Sequence, residues 1–72
     1  MNKAMKIIVK LLPGNERQEV EATPGMTVFE LLQKLHLESV PVVVLQNNVP
    51  LPKDYVIHDD AELSILRVIS GG

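Results

Sequence analysis

The sequence contains no cysteine and no tryptophan, and its aromatic residues are one Phe and one Tyr. Without cysteine, no disulfide staples the fold and no thiolate holds zinc. A thiol nucleophile is excluded on the same ground. Phe29 and Tyr55 have no basic residues interleaved with them, so they make no stacking platform for a single strand of nucleic acid. The formal net charge is -2, which lacks the basic footprint of a nucleic-acid binder and suits a basic protein partner instead. No apolar run approaches the length of a membrane span. The opening Met1-Asn2-Lys3-Ala4-Met5 has no apolar stretch of signal-peptide length, so a cytoplasmic location without membrane contact is expected.

What the chain has is aliphatic residues, rich in Val, Ile and Leu. Its 72 residues allow a single domain over 1–72, and a chain this short buries only about 60% of its unfolded surface. Stability therefore rests on aliphatic packing. Lys6 to Leu12 reads as a strand, with Met5, Ile7, Val9 and Leu11 on one face and Lys6, Ile8 and Lys10 on the other. Pro13-Gly14-Asn15-Glu16 is a turn signal. Alternation resumes over Arg17 to Thr23, with Gln18, Val20 and Ala22 sharing a side, and the two runs predict a hairpin.

Pro24-Gly25 breaks that strand, and Thr27 to Glu30 follows with the spacing of a capping box. Met26 precedes the cap at staple distance from Leu31. Val28, Leu31, Leu32 and Leu35 form one helical stripe, which predicts a helix to about His36, stopped at the latest by Pro41. Val42-Val43-Val44-Leu45 reads as a strand buried on most sides. Asn47-Asn48 is a turn pair. Val49-Pro50-Leu51-Pro52 fits only a short edge strand or an extended loop, because proline cannot donate to a ladder. Lys53 to Ile57 reads as irregular, with Tyr55 or Val56 plugging the core. His58 to Ala61 is a turn, and Glu62 to Ile69 is the last strand. The pattern predicts an α+β domain in which one helix crosses a mixed four- to five-stranded sheet. The first and last strands lie side by side and parallel at its centre. The folded core is expected over 6–69, with 70–72 as a flexible tail.

That tail is Ser70-Gly71-Gly72. Paired glycines end a random chain roughly once in 200 cases, at a usage of about 7%. Without side chains they form a thin rod that passes close to another surface. Frayed ends are common, so the pair gains weight only from the domain before it.

That domain resembles a known family. The strand-hairpin-capped helix-strand order resembles the β-grasp fold of ubiquitin-like proteins. It is similar in particular to the prokaryotic sulfur carriers: the thiamine-pathway carrier ThiS, the small subunit of molybdopterin synthase (MoaD), and the archaeal ubiquitin-like modifiers that also serve tRNA thiolation. Thr27-Val28-Phe29-Glu30-Leu31-Leu32 matches the helix start "T-V-x-E-L-L". Val44 to Pro50 resembles the hairpin "V-x-x-N-G-x-x-V-P". Asp59 to Ile65, followed by Ile69 to Gly72, resembles the ending "D-G-D-x-V-x-I…GG". The resemblance covers residues 6–72. Asn48 and Asp60-Ala61 stand where the family often has Gly and Gly-Asp, and Asn and Asp can replace Gly at positive φ. Arg67-Val68-Ile69-Ser70 lacks the aromatic residue common before the tail of molybdopterin-synthase subunits, which weighs against that branch.

The resemblance implies a protein co-substrate and not an enzyme. An E1-like enzyme would use ATP to adenylate the Gly72 carboxylate, and sulfur attack would leave a thiocarboxylate. The acceptor would be a thiazole synthase, a tRNA thiouridylase or the large subunit of molybdopterin synthase. No cofactor bound to the chain itself, no metal and no catalytic residue are implied, and the chain has no thiol of its own for the sulfur. Gly71 and Ser70 keep the approach slender. Three residues past the strand reach roughly 10 Å. Attack by a lysine amine would instead make the protein a modifier, and an incidental Gly-Gly would leave a plain β-grasp interaction domain. For docking, Leu66 and Val68 fall opposite Leu63 and Ile65, on a face that one helix leaves open, and exposed apolar surface of that kind marks contact sites. Arg67 could pair with a partner carboxylate. His36 and His58-Asp59-Asp60 read as surface and turn residues and not as ligands.

Overall fold

A computed structural model describes residues 5–12, 14, 16–58 and 60–68. The elements are β1 (Met5–Leu12), β2 (Glu16–Ala22), α1 (Val28–Lys34), β3 (Val42–Gln46), β4 (Val49–Pro50) and β5 (Glu62–Arg67). The five strands form one mixed sheet in the order β2-β1-β5-β3-β4. β1 and β5 are parallel at the centre, and the other neighbours are antiparallel. This is the expected α+β β-grasp architecture.

Strand alternation fixes which side the helix covers. Ile7, Val9, Leu63 and Ile65 point to α1 and are essentially inaccessible. They meet Val28, Leu31 and Leu32 of the helix, with Val20, Ala22, Val44, Ile57 and Ala61 completing the core. A seven-residue helix is unstable alone in water, so this packing is what holds it.

The helix start follows its sequence. Thr27 Oγ1 accepts from the Glu30 N–H at 3.2 Å, and the Thr27 N–H donates to Glu30 Oε1 at 2.9 Å. The two remaining free donors of the first turn go to the 52–57 segment: Val28 N–H to Tyr55 O and Phe29 N–H to Lys53 O, both 2.9 Å. Every early N–H of the helix is thereby satisfied, as burial requires. The same segment is tied back by the Ile57 N–H donating to Met26 O at 2.8 Å.

Four expectations need correction. Val56 does not plug the core: it is 47% exposed, while Ile57 is 2% exposed and Tyr55 is half-buried. The Ile57–Met26 bond sets the parity of this segment and turns Ile57 inward. The helix ends at Lys34, short of His36. His36 has φ 60 and donates to Gln33 O, and Leu37 donates to Leu32 O at 2.7 Å. This is a Schellman close with His36 in the left-handed slot usually held by glycine. β3 is not buried on most sides. Only Val44 is buried, because a single helix covers one face and leaves Val43 and Leu45 half-exposed on the other. β5 ends at Arg67, so Val68 is not part of the expected strand, and Ile69 lies outside the described residues. Val68 N–H still donates to Pro41 O at 2.9 Å, but Pro41 has no N–H to return and the ladder stops there.

The tight turns use Asn and Asp as expected. Asn47 and Asn48 sit at φ 52 and 65, as the two-residue type I′ hairpin between β3 and β4 requires. Asp60 sits at φ 59 before β5.

Candidate functional site

The site is built around β5, the strand that delivers the chain toward residues 69–72. Its inward side chains, Leu63 and Ile65, anchor it in the core. Its outward ones, Glu62, Ser64 and Leu66, lie on the sheet face with no helix. Leu66 is 38% exposed, and Val68, next in the alternation, is 44% exposed.

Register places partners beside Leu66 that the sequence alone did not reveal. Leu12 of β1 is its neighbour on one side and Val43 of β3 on the other. Both are half-buried. Leu12, Leu66 and Val43 thus make an apolar row across three strands at the end of the sheet where β5 finishes, with Leu12 also reaching the groove on the helix side, and Val68 lies just beyond. The next row is Lys10, Ser64 and Leu45. Lys10 and Ser64, with Glu62, Asn47 and Asn48, line a shallow polar depression. Farther toward the start of β5, Arg17 Nη2 lies 3.4 Å from Glu62 Oε2. The face is therefore apolar near the tail and mixed away from it, where Leu45 and Ile8 stand among the polar residues. The outward parity of Lys6, Ile8, Lys10 and Leu12 was visible in the sequence, but the row is visible only once β1 and β5 are paired in register.

Arg67 separates from Leu66 and Val68. It pairs with Val42 in the ladder and lines a groove on the helix side of the sheet, with Leu11, Leu35, Leu37 and Ile65. A partner on the open face would meet Leu66 and Val68 directly and Arg67 only around the end of the sheet. Ser70, Gly71 and Gly72 lie outside the described residues. Four residues follow the Val68–Pro41 bond, a reach of about 13 Å at full extension.

Residues 5–69 match the family described as Small archaeal modifier protein 2. The chain belongs to this family. A relative from Archaeoglobus fulgidus, described as an uncharacterized protein, is 38% identical over 69 residues, which span 94% of this chain and all of the relative. Among solved structures, the chain is similar to Caldiarchaeum subterraneum ubiquitin, with TM-score 0.75 and 19% identity over 97% of this chain and 100% of that one. A ubiquitin-like domain from Arabidopsis thaliana gives TM-score 0.71 and 21% identity, covering 97% of this chain and 84% of that one. At such identities these two likenesses establish the ubiquitin-like β-grasp fold and nothing further. No helix among the described residues is long and apolar enough to cross a membrane.

Proposed function

We propose that this protein acts through the carboxylate of Gly72, activated by an E1-like adenylating enzyme that docks on the open sheet face. The observation that carries the reading is the apolar row Leu12–Leu66–Val43, with Val68 beside it, next to the strand that leads into Gly71-Gly72. The domain is a handle, and the chemistry belongs to its tail.

A carboxylate is a poor electrophile because its charge is delocalised and oxide would have to leave. Attack of the Gly72 carboxylate on the α-phosphorus of ATP releases pyrophosphate and gives an acyl-adenylate. Sulfide attack on that carbonyl forms a C–S bond, breaks the C–O bond and expels AMP, leaving a thiocarboxylate. A persulfide attacks the same way, but a second thiol must then cleave the resulting acyl disulfide. The thiocarboxylate would hand its sulfur to thiazole formation or tRNA thiouridine. The sequence before the tail weighs against the pterin route. ATP enters as the partner enzyme's substrate.

A second reading is favoured by the family description itself: a lysine amine attacks the adenylate-derived acyl group and the product is an isopeptide. Intact mass of protein purified from its native cells separates the two. A sulfur-for-oxygen increase confined to the Gly72-containing peptide supports the carrier, and branched Gly72-lysine peptides support conjugation. Loading of either kind after deletion of Gly71-Gly72 contradicts both.

A further inference from the structure

β2 is an edge strand whose outer hydrogen-bonding groups can be assigned one by one. Ile8 N–H donates to Ala61 O at 3.0 Å, so Ile8 faces β5. Residues of a strand alternate in the side to which N–H and C=O point, so Ile7 and Val9 face β2. Their partners Val20 and Gln18 face back. Arg17, Glu19 and Glu21 therefore aim their backbone groups outward, where no strand follows among the described residues. One of these groups has a partner among the described residues: Glu21 O accepts from Lys34 Nζ at 2.6 Å.

Edges are usually blunted by brevity, proline, a bulge or charged side chains. β2 has none of the first three. It is seven residues long without proline, in unbroken register with β1. The opposite edge does follow the rule: β4 is two residues, one of them Pro50. What β2 does carry is charge. Glu19 and Glu21 stand on the open-face side, and Glu16 on the helix side. Arg17 is turned across the sheet to Glu62. In a second copy, full antiparallel overlap sets the two Glu19 side chains face to face, which is repulsive, and the two Arg17–Glu21 pairs that would offset this require each Arg17 to leave Glu62. On the helix side, Glu16 and Gln18 line a groove of about 480 Å³ walled by Leu11, Leu35, Leu37 and Ile65.

We propose that the outer edge of β2 accepts an added strand from a basic, extended segment of a partner protein. Lys or Arg at alternate positions of that segment lies against Glu19 and Glu21. An aliphatic side chain of the opposite parity, facing Gln18, enters the groove. Backbone bonds supply affinity and the alternating side chains supply selectivity, as in strand addition generally. Lys34 must leave Glu21 O when the strand arrives, so it competes with the ligand. The proposal does not rest on the C-terminal chemistry and survives its failure.

The probe is a seven-residue peptide alternating lysine and valine, titrated into 15N-labelled protein. The amides of Arg17, Glu19 and Glu21 should shift and become slow to exchange. Glu19→Pro removes an outward donor without touching the β1 ladder and should weaken binding about tenfold, the upper end for one lost hydrogen bond. The Glu19→Lys/Glu21→Lys pair, which needs no backbone change, should weaken it at least as much. Lys34→Ala should tighten it about twofold, since a backbone acceptor is freed. The proposal is overturned if the shifts fall on the Leu12–Leu66–Val43 face, if Glu19→Pro with intact β1 amides binds equally well, or if the same β2 amides shift on concentrating the protein alone.

Discussion

His36 closes the helix in a conformation that its side chain disfavours, and this makes His36→Gly a quantitative test of the fold. The left-handed conformation costs an L-residue roughly 1–2 kcal/mol because Cβ crowds the backbone. Glycine escapes that cost but gives the unfolded chain more freedom, worth roughly 0.5–1 kcal/mol against it. His36 is exposed, so removing its ring opens no cavity. The net expectation is a gain of about 0.5–1 kcal/mol. A chain of 72 residues has a total stability of only about 4–11 kcal/mol, so the gain is measurable. It should raise the melting temperature by about 4 °C. His36→Ala is the control, because it removes the ring and keeps Cβ, and it should give no comparable gain. Circular dichroism melts and urea titrations of the three proteins decide the matter. If glycine is no more stable than alanine, the left-handed close at residue 36 is wrong, and with it the helix end at Lys34.

Thr27→Ala removes the acceptor for the Glu30 N–H and should cost about 1 kcal/mol, seen as a lower urea midpoint at unchanged slope, whereas Thr27→Ser should retain most of the stability. The Leu66→Asp/Val68→Asp variant changes two exposed side chains and should move stability by less than about 1 kcal/mol while adenylation by the E1-like partner falls at least tenfold. Unchanged adenylation would remove the open face from the account.

How far the sequence revealed this protein depends on whether a feature is local. The capping box of Thr27 and Glu30 is three residues apart, so its signal is complete in the sequence, and the structure has both of its bonds. The Asn47-Asn48 turn and the parallel pairing of β1 with β5 were legible for related reasons: residues tolerant of positive φ in one case, strong two-residue alternation in the other. The helix stop was not legible, because His36 carries no mark distinguishing a left-handed close from one more helical turn. Nor was the choice between Val56 and Ile57, two adjacent β-branched residues whose order is set by a bond to Met26. The apolar row on the open face was half legible. Leu66 and Val68 followed from alternation within β5, but Leu12 and Val43 joined them only through register, which the sequence does not encode locally. Arg67 shares their stretch of chain and points to the other side of the sheet.

The central claim is that Gly72 carries the reacting carboxylate. Its most direct measurement is pyrophosphate release from ATP by the E1-like enzyme, with the full chain and with a chain ending at Ser70. The account predicts release that depends on the full chain, with AMP found on its C-terminal peptide. Equal release with the shortened chain, or AMP on any other residue, would contradict it.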